Sequence, residues 1–380
     1  MPSRKSAILK FVDSFVGPAA CALLSRPQKN AERRKLQDTE GPILLIRPGG
    51  IGDAVMLLPA LRALKTAAPT RPIDILCESR NEAVFNFALP ESRTISYDKT
   101  PLRALRALRR NAYACVLDTE QFHNFSGVMT ALTRAPLRIG FKINTNRRGL
   151  YTHLVGYDLD GPEDLQFGRL LESALGHAVA LPPRCGILKT LPTAVPLPQP
   201  APDAKPLAIH AGGSVSSKRC PANVIADAAR AAAHKHGLAI SILGAAPDAA
   251  YAAEIESLLA APLSPPLQIV NHCGKLTLNE TAQICASARA LLGPDSGIAH
   301  LAVAAGTPAV VLFGPSDPRK WAPPQGAGKA VRIDLPCSPC SIFGYTKPCD
   351  NHECVCGITR EAISAALEDV LNNARPRAHL

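Results

Sequence analysis

The residues best placed to do chemistry are charged side chains set in glycine-rich loops. Pro48-Gly49-Gly50-Ile51-Gly52-Asp53 follows one apolar run, and His210-Ala211-Gly212-Gly213-Ser214, with Lys218-Arg219 just beyond, follows another. Three more runs end in Gly244-Ala245-Ala246-Pro247-Asp248, Pro294-Asp295-Ser296-Gly297 and Phe313-Gly314-Pro315-Ser316-Asp317. Glycine permits close backbone approach, and a helix starting just after such a loop aims free N–H groups at an anion. Tight strand-to-helix turns need glycine anyway, so one loop alone says little. The four in the second half of the chain together predict a diphosphate there. Neither a dinucleotide fingerprint nor a P-loop is present. Gly49-Gly50-Ile51-Gly52 lacks the G-x-G-x-x-G spacing, only Glu78 supplies an acid after the second strand, and no G-K-[ST] follows.

Of the 12 cysteines, Cys21, Cys77, Cys115, Cys185, Cys220, Cys273 and Cys285 lie in apolar or helical contexts and read as reduced core residues. The others crowd into 337–356. Cys337-x-x-Cys340, followed by Cys349 and Cys354, is compatible with a tetrahedral structural zinc site; disulfides and free thiols are the alternatives. A closed four-thiolate site leaves no open position, so no catalytic residue is expected among them.

The formal net charge of +11 favours a polyanionic partner. Arg134, Arg138, Lys142, Arg147 and Arg148 form one stretch without an acid, and Arg103, Arg106, Arg109 and Arg110 form a Leu-Arg repeat. Each is either a solvated face or a surface for a charged glycolipid at an anionic membrane. Aromatics at 4% and the lack of a reader motif exclude nucleic acid as the expected partner. No run reaches the roughly eighteen apolar residues of a membrane span. Lys10, Asp13 and Gly17-Pro18 interrupt the apolar segment Ser6–Leu24, which is no signal peptide. It reads as an interfacial helix or as one packed on the protein's own surface. The expectation is a cytoplasmic protein, peripheral on the inner face of the cytoplasmic membrane.

These loops need a scaffold, and the pattern supplies one. A chain of 380 residues suits two domains. Short apolar runs alternate with amphipathic helical stretches, which predicts parallel α/β sheets. Strands are predicted at 43–47, 73–77, 94–97, 115–118 and 138–141, then at 207–210, 239–243, 268–271, 290–293 and 309–313. Between the two groups, 181–206 is proline-rich and reads as a linker. The predicted layout is a basic, apolar extension (1–40), a Rossmann-like domain (41–180), the linker (181–206), a second Rossmann-like domain (207–336), a cysteine-rich segment (337–357) and a terminal helix and tail (358–380). Two such halves are expected to face a cleft.

The segment ILLIRPGGIGDAVMLLPALRALK from Ile43 to Lys65 resembles the opening of glycosyltransferase family 9, the lipopolysaccharide heptosyltransferases and their relatives. LAIHAGGSVSSKRCP from Leu207 and the stretch from Gly274 to Trp321 are similar to later segments of that family. The resemblance runs from about Gly41 to Leu371. It implies a GT-B fold, with acceptor in the N-terminal half and donor in the C-terminal half, and an inverting transfer without metal. Asp53 matches the family's general base, with an N-cap aspartate as the alternative. Lys218 matches the lysine on the donor diphosphate, where leaving-group charge builds. Ser296 and Gly297 match the helix-start phosphate contacts, and Asp295 a nucleotide-orienting residue. His300 matches a packing or phosphate residue, and Asp248 falls where an acid meets ribose hydroxyls. Gly212, Gly213 and Ser214 complete the donor set; Gly50, Gly52, Arg62, Arg147 and Arg148 are candidate acceptor contacts. Cys220 stands where an aromatic is usual and Ala211 where proline is usual. The expected partners are a nucleotide-diphosphate sugar, a glycolipid or glycan acceptor and an anionic membrane. The competing readings are a nucleotide-sugar epimerase of the same architecture and a non-catalytic glycan- or membrane-binding protein.

Overall fold

A strand covered on both faces reads as an unbroken apolar run, and the central strands here do. The computed structural model describes residues 11–25, 34–188, 205–213, 216–260, 266–342, 345–346 and 349–373. It divides into two compact units, Met1–Pro183 and Arg184–Leu380. In the first, β1 (Ile43–Arg47), β2 (Ile73–Cys77) and β4 (Cys115–Asp118) are buried throughout. With β3 (Arg93–Ser96), β5 (Leu137–Phe141) and β6 (His153–Val155) they form a sheet of order β3-β2-β1-β4-β5-β6, parallel at every pairing.

The second unit repeats the plan. Strands β7 (Leu207–His210), β8 (Ile240–Leu243), β9 (Ile269–Asn271), β10 (Ala290–Pro294), β11 (Ala309–Leu312) and β12 (Gly328–Val331) run β12-β11-β10-β7-β8-β9, again all parallel. Counted from its own first strand, this is the doubly wound order of the first sheet. In such sheets the order reverses at one point, and ligands bind beyond the carboxyl ends of the strands there. The reversal falls between β1 and β4 in one unit and between β7 and β10 in the other.

Crossover helices cover the sheets. The helix Arg360–Asn373 buries Ile363, Leu367, Val370 and Leu371, a helical-period stripe, against the second unit. The N-terminal segment is part of the first unit. Helix Gly17–Leu24 lies on helix Asn124–Leu132 and the 3-10 turn Thr145–Leu150, with Cys21 fully buried. Asp13 accepts from the Asn124 and Phe125 N–H groups at 3.0 and 2.7 Å, so it caps a helix 111 residues further along the chain. Phe11, Phe15, Val16 and Leu23 point away from that seat and are exposed. No helix among the described residues is long and apolar enough to cross a membrane.

Candidate functional site

At the second unit's reversal point, β7 ends in His210 and β10 leads into Asp295 and Ser296. Ser296 caps helix Gly297–Ala304 by accepting from the Ala299 N–H, and its Oγ lies 3.0 Å from His210 Nδ1. The first N–H groups of a helix have no partner within it, so Gly297 opens a turn with donors to spare. Lys218 ends the 3-10 turn Ser216–Lys218 and reaches Asp295 with Nζ, 2.8 Å from the carboxylate and 3.2 Å from the backbone carbonyl. Burial pushes the Asp295 carboxyl up, but the Lys218 ammonium and His300 outweigh it and hold it below the usual carboxylate value. His300 Nε2 stands 3.7 Å from Asp295. Burial, reinforced by Arg184 and Lys218, lowers the His300 imidazole to about 4, and burial lowers His210 to about 4. Both rings are therefore neutral near pH 7. An ammonium, a helix N-terminus and two uncharged rings make a site that can take a diphosphate.

Asp248 is occupied within the fold. Arg219 donates to it at 2.6 Å and the Ala245 N–H at 3.0 Å, which leaves a ribose less of its carboxylate than the sequence suggests. Gly212 is required by crowding: a Cβ there would lie 2.6 Å from Asp248 Oδ2 and 2.8 Å from His210 Nε2. Gly213 follows in the same loop, half-buried, and Ser214 lies outside the described residues. His210 and Arg219 were quoted in the sequence without a role. The topology supplies one for His210, since the last residue of β7 must meet the first residues beyond β10.

The first unit's reversal point carries buried ions. Arg47, the last residue of β1, is 2% exposed. It donates to the carbonyls of Pro48 and Thr119 at 2.7 and 2.8 Å, and to Glu120 at 3.4 Å. Its guanidinium lies 3.7 Å from Asp53. Burial opposes the charge on Arg47, but Asp53 and Glu120 outweigh it and raise its pKa. Burial likewise pushes Glu120 up, and Arg47 brings it below the usual range. Helix Ile51–Ala67 takes Gly50 as N-cap, so Asp53 is its third residue and makes no capping bond. The N-cap alternative is thereby removed. The carboxylate folds back over Gly50, whose added Cβ would lie 3.2 Å from it, and the side chain keeps 24% exposure. Gly49 sits at φ +109, which only glycine adopts without strain, and its N–H donates to Glu78 at 3.2 Å. Gly52 is half-buried in the first helical turn.

Several expected site residues fall elsewhere. Arg62 is nine residues past Asp53, about two and a half turns on, and so emerges on the opposite side of the helix. Arg147 is fully buried. It donates to the carbonyls of His123 and Glu120 at 2.9 and 2.8 Å and to Ser126 Oγ at 3.0 Å, and lies 3.7 Å from Asp118. It braces the interior under the N-terminal helix and offers nothing to an acceptor. Arg138 is also turned inward, to the carbonyl of Leu150 at 2.8 Å. Arg134, Lys142 and Arg148 are left exposed.

Four thiols of the cysteine segment do gather: burial first, then Cys340, Cys337 and Cys349, raise the Cys354 thiol. Among the described residues no group of three or more His, Cys, Asp or Glu side chains is disposed to hold a metal ion. The segment is fastened instead by backbone and hydroxyl groups. Ser338 Oγ donates to the Gly314 carbonyl at 2.7 Å and the Cys340 N–H to that of Pro315 at 2.9 Å. Of the seven scattered cysteines, Cys185 is exposed and the other six are buried.

A family model described as Glycosyltransferase family 9 (heptosyltransferase) matches residues 102–349. The chain belongs to that family. The matched region holds Lys218, Asp295 and the helix that Ser296 caps, and begins beyond Asp53. Lipooligosaccharide heptosyltransferase 2 of Haemophilus influenzae is 32% identical over 97 residues, 26% of this chain and 28% of the relative. The chain thus covers under a third of that relative. Among solved structures, the E. coli ADP-heptose lps heptosyltransferase II gives a TM-score of 0.66 at 19% identity, covering 87% of this chain and 98% of that one. The E. coli heptosyltransferase WaaC with ADP gives 0.64 at 17% identity, covering 88% and 99%. At such identities these likenesses establish the fold, which is α/β of the GT-B type.

Proposed function

We propose that this family 9 member moves a sugar, heptose or a related one, from a nucleotide-diphosphate donor to a lipopolysaccharide-type glycolipid, with inversion and without metal. The observation that carries the reading is the Lys218–Asp295 pair beside the Ser296-capped helix, at the second unit's reversal point and within the family-matched region. One relative has been solved with ADP, in keeping with a nucleoside diphosphate as ligand. In the reaction, the acceptor hydroxyl oxygen forms the new bond to the anomeric carbon and its proton passes to Asp53. The bond from that carbon to the diphosphate breaks, and the electron pair leaves with the nucleotide. Lys218 and the first N–H groups of the helix at Gly297 offset the charge that develops. Asp295 holds Lys218 in place before the donor arrives, and His300 and His210 keep the surroundings uncharged.

The acceptor side uses Gly50, Gly52 and Arg148. The working place is the inner face of the cytoplasmic membrane, reached through the outward apolar residues of the N-terminal helix. The test is titration calorimetry with ADP, UDP and GDP on wild type and Lys218→Ala. Losing a charge-assisted bond should weaken the preferred diphosphate about tenfold to a hundredfold. Equal affinity in the two proteins would remove Lys218 from the donor site.

A further inference from the structure

A row of arginines outside the transfer site lacks any fold-based reason to be there. Helix Pro101–Arg110 reads PLRALRALRR and contains no acid. Arg103, Arg106 and Arg110 are spaced i, i+3, i+7, so they share one face, and like charges so placed oppose the helix. The last-turn cations suit the helix dipole, but Arg103 is in the first turn, where a cation opposes it. Among the described residues none of the three has an ion-pair or hydrogen-bond partner for its guanidinium. They line a groove of about 190 Å³ together with Ile95, Asn111 and Arg93, the last already paired with Asp74. That volume is below the several hundred Å³ of a nucleotide-sized pocket, so it suits a single charged group. The groove lies along edge strand β3, two strands from β1. Beside the arginine face the same helix exposes Leu102 (70%) and Leu105 (37%), again three residues apart.

We propose that this groove binds the phosphate of an anionic lipid headgroup, with Leu102 and Leu105 resting on the apolar surface next to it. Forked guanidinium donors match phosphate oxygens two at a time, and three on one face can surround a phosphomonoester. The leucine pair points to a ligand that joins phosphate to hydrocarbon rather than to a free anion. The inference shares only the membrane surface with the transfer reading, and its test uses no donor.

The experiment is flotation of the full chain with vesicles of pure phosphatidylcholine or with added phosphatidic acid, for wild type, Arg103→Gln/Arg106→Gln/Arg110→Gln, the matching triple lysine variant, and Leu102→Ser/Leu105→Ser. All sites are exposed and the polar replacements at the arginines are good helix formers, so thermal unfolding should stay near wild type. At about 1 kcal/mol per cation near an anionic surface, the glutamine triple should bind phosphatidic acid vesicles on the order of a hundredfold more weakly. The lysine triple keeps the charge and loses the fork, so it should also weaken, by about tenfold. The serine pair should weaken binding without abolishing the preference for phosphatidic acid. Wild-type affinity in the lysine triple would mean diffuse charge attraction and overturn the site. Wild-type affinity in the serine pair, with stabilisation by inorganic pyrophosphate that is lost in the glutamine triple, would assign the groove to a soluble phosphate and overturn the lipid assignment.

Discussion

The two units have one strand order and opposite electrostatic designs. Beyond β1 and β4, the first unit buries Arg47 among Asp53, Glu120 and backbone carbonyls, and leaves Asp53 as the partly exposed member. Beyond β7 and β10, the second keeps one compensated pair, Lys218–Asp295, between two neutral imidazoles. The same topology thus carries two different charge inventories at its reversal points. A buried cation that holds carboxylates suits a unit that receives a proton. A site with a helix N-terminus, an ammonium and no net excess of negative charge suits a unit that receives a diphosphate.

The contrast can be broken most heavily at Arg47. Arg47→Met leaves Glu120 buried without its cation, and removing one partner of such a network costs about 3–5 kcal/mol. Urea unfolding of the variant should show a loss of that order; a loss below about 1 kcal/mol would mean that the carbonyl bonds, not the ion network, hold the first loop. Asp53→Asn keeps shape and removes the carboxylate proposed to take the acceptor's proton. Its kcat should fall on the order of a hundredfold or more while nucleotide affinity stays put, and near-normal turnover would make Asp53 structural.

A smaller effect separates the units by pH. Because His210 and His300 titrate at about 4 in the fold, below the ordinary 6.5, the unfolded chain takes up protons first as pH falls. Their contribution is complete above about pH 6.5 and is lost as pH drops toward 4. A His210→Asn/His300→Gln variant should show a shallower fall in Tm over that window, and parallel curves would place both residues outside the linkage. Smallest of all, Arg62→Ala should change stability by no more than about 0.5 kcal/mol and leave turnover within about twofold. A rise in acceptor KM alone would restore Arg62 to the acceptor side.

Much of the scaffold was legible because parallel strands announce themselves as apolar runs. The runs at Ile43–Arg47, Ile73–Cys77, Cys115–Asp118 and Leu207–His210 are strands with those bounds. Within the two six-stranded sheets, the strands without such a signal, His153–Val155 and Gly328–Val331, are sheet edges with partly exposed side chains, so the burial that makes the signal is missing. The glycine-rich loops at the strand ends were legible from glycine spacing. What was not legible is the burial of charge. Arg147 looks like its neighbour Arg148 in the sequence. Only the fold shows that its pocket is closed by a helix from the other end of the unit. The same blindness applies to Arg47, whose partner Glu120 lies 73 residues away.

The cap that Asp13 places on helix Asn124–Leu132 gives the N-terminus a history in time. During synthesis Asp13 leaves the ribosome before its binding site, which is 111 residues behind it. At about 5–20 residues per second, the segment waits roughly 6–22 s for a seat. For that interval Phe11, Phe15 and Leu23 have company only in solvent, chaperone or membrane, and Cys21 has no cover. Nascent chains arrested before residue 124 should leave 11–25 open to protease, and chains arrested well past residue 150 should protect it.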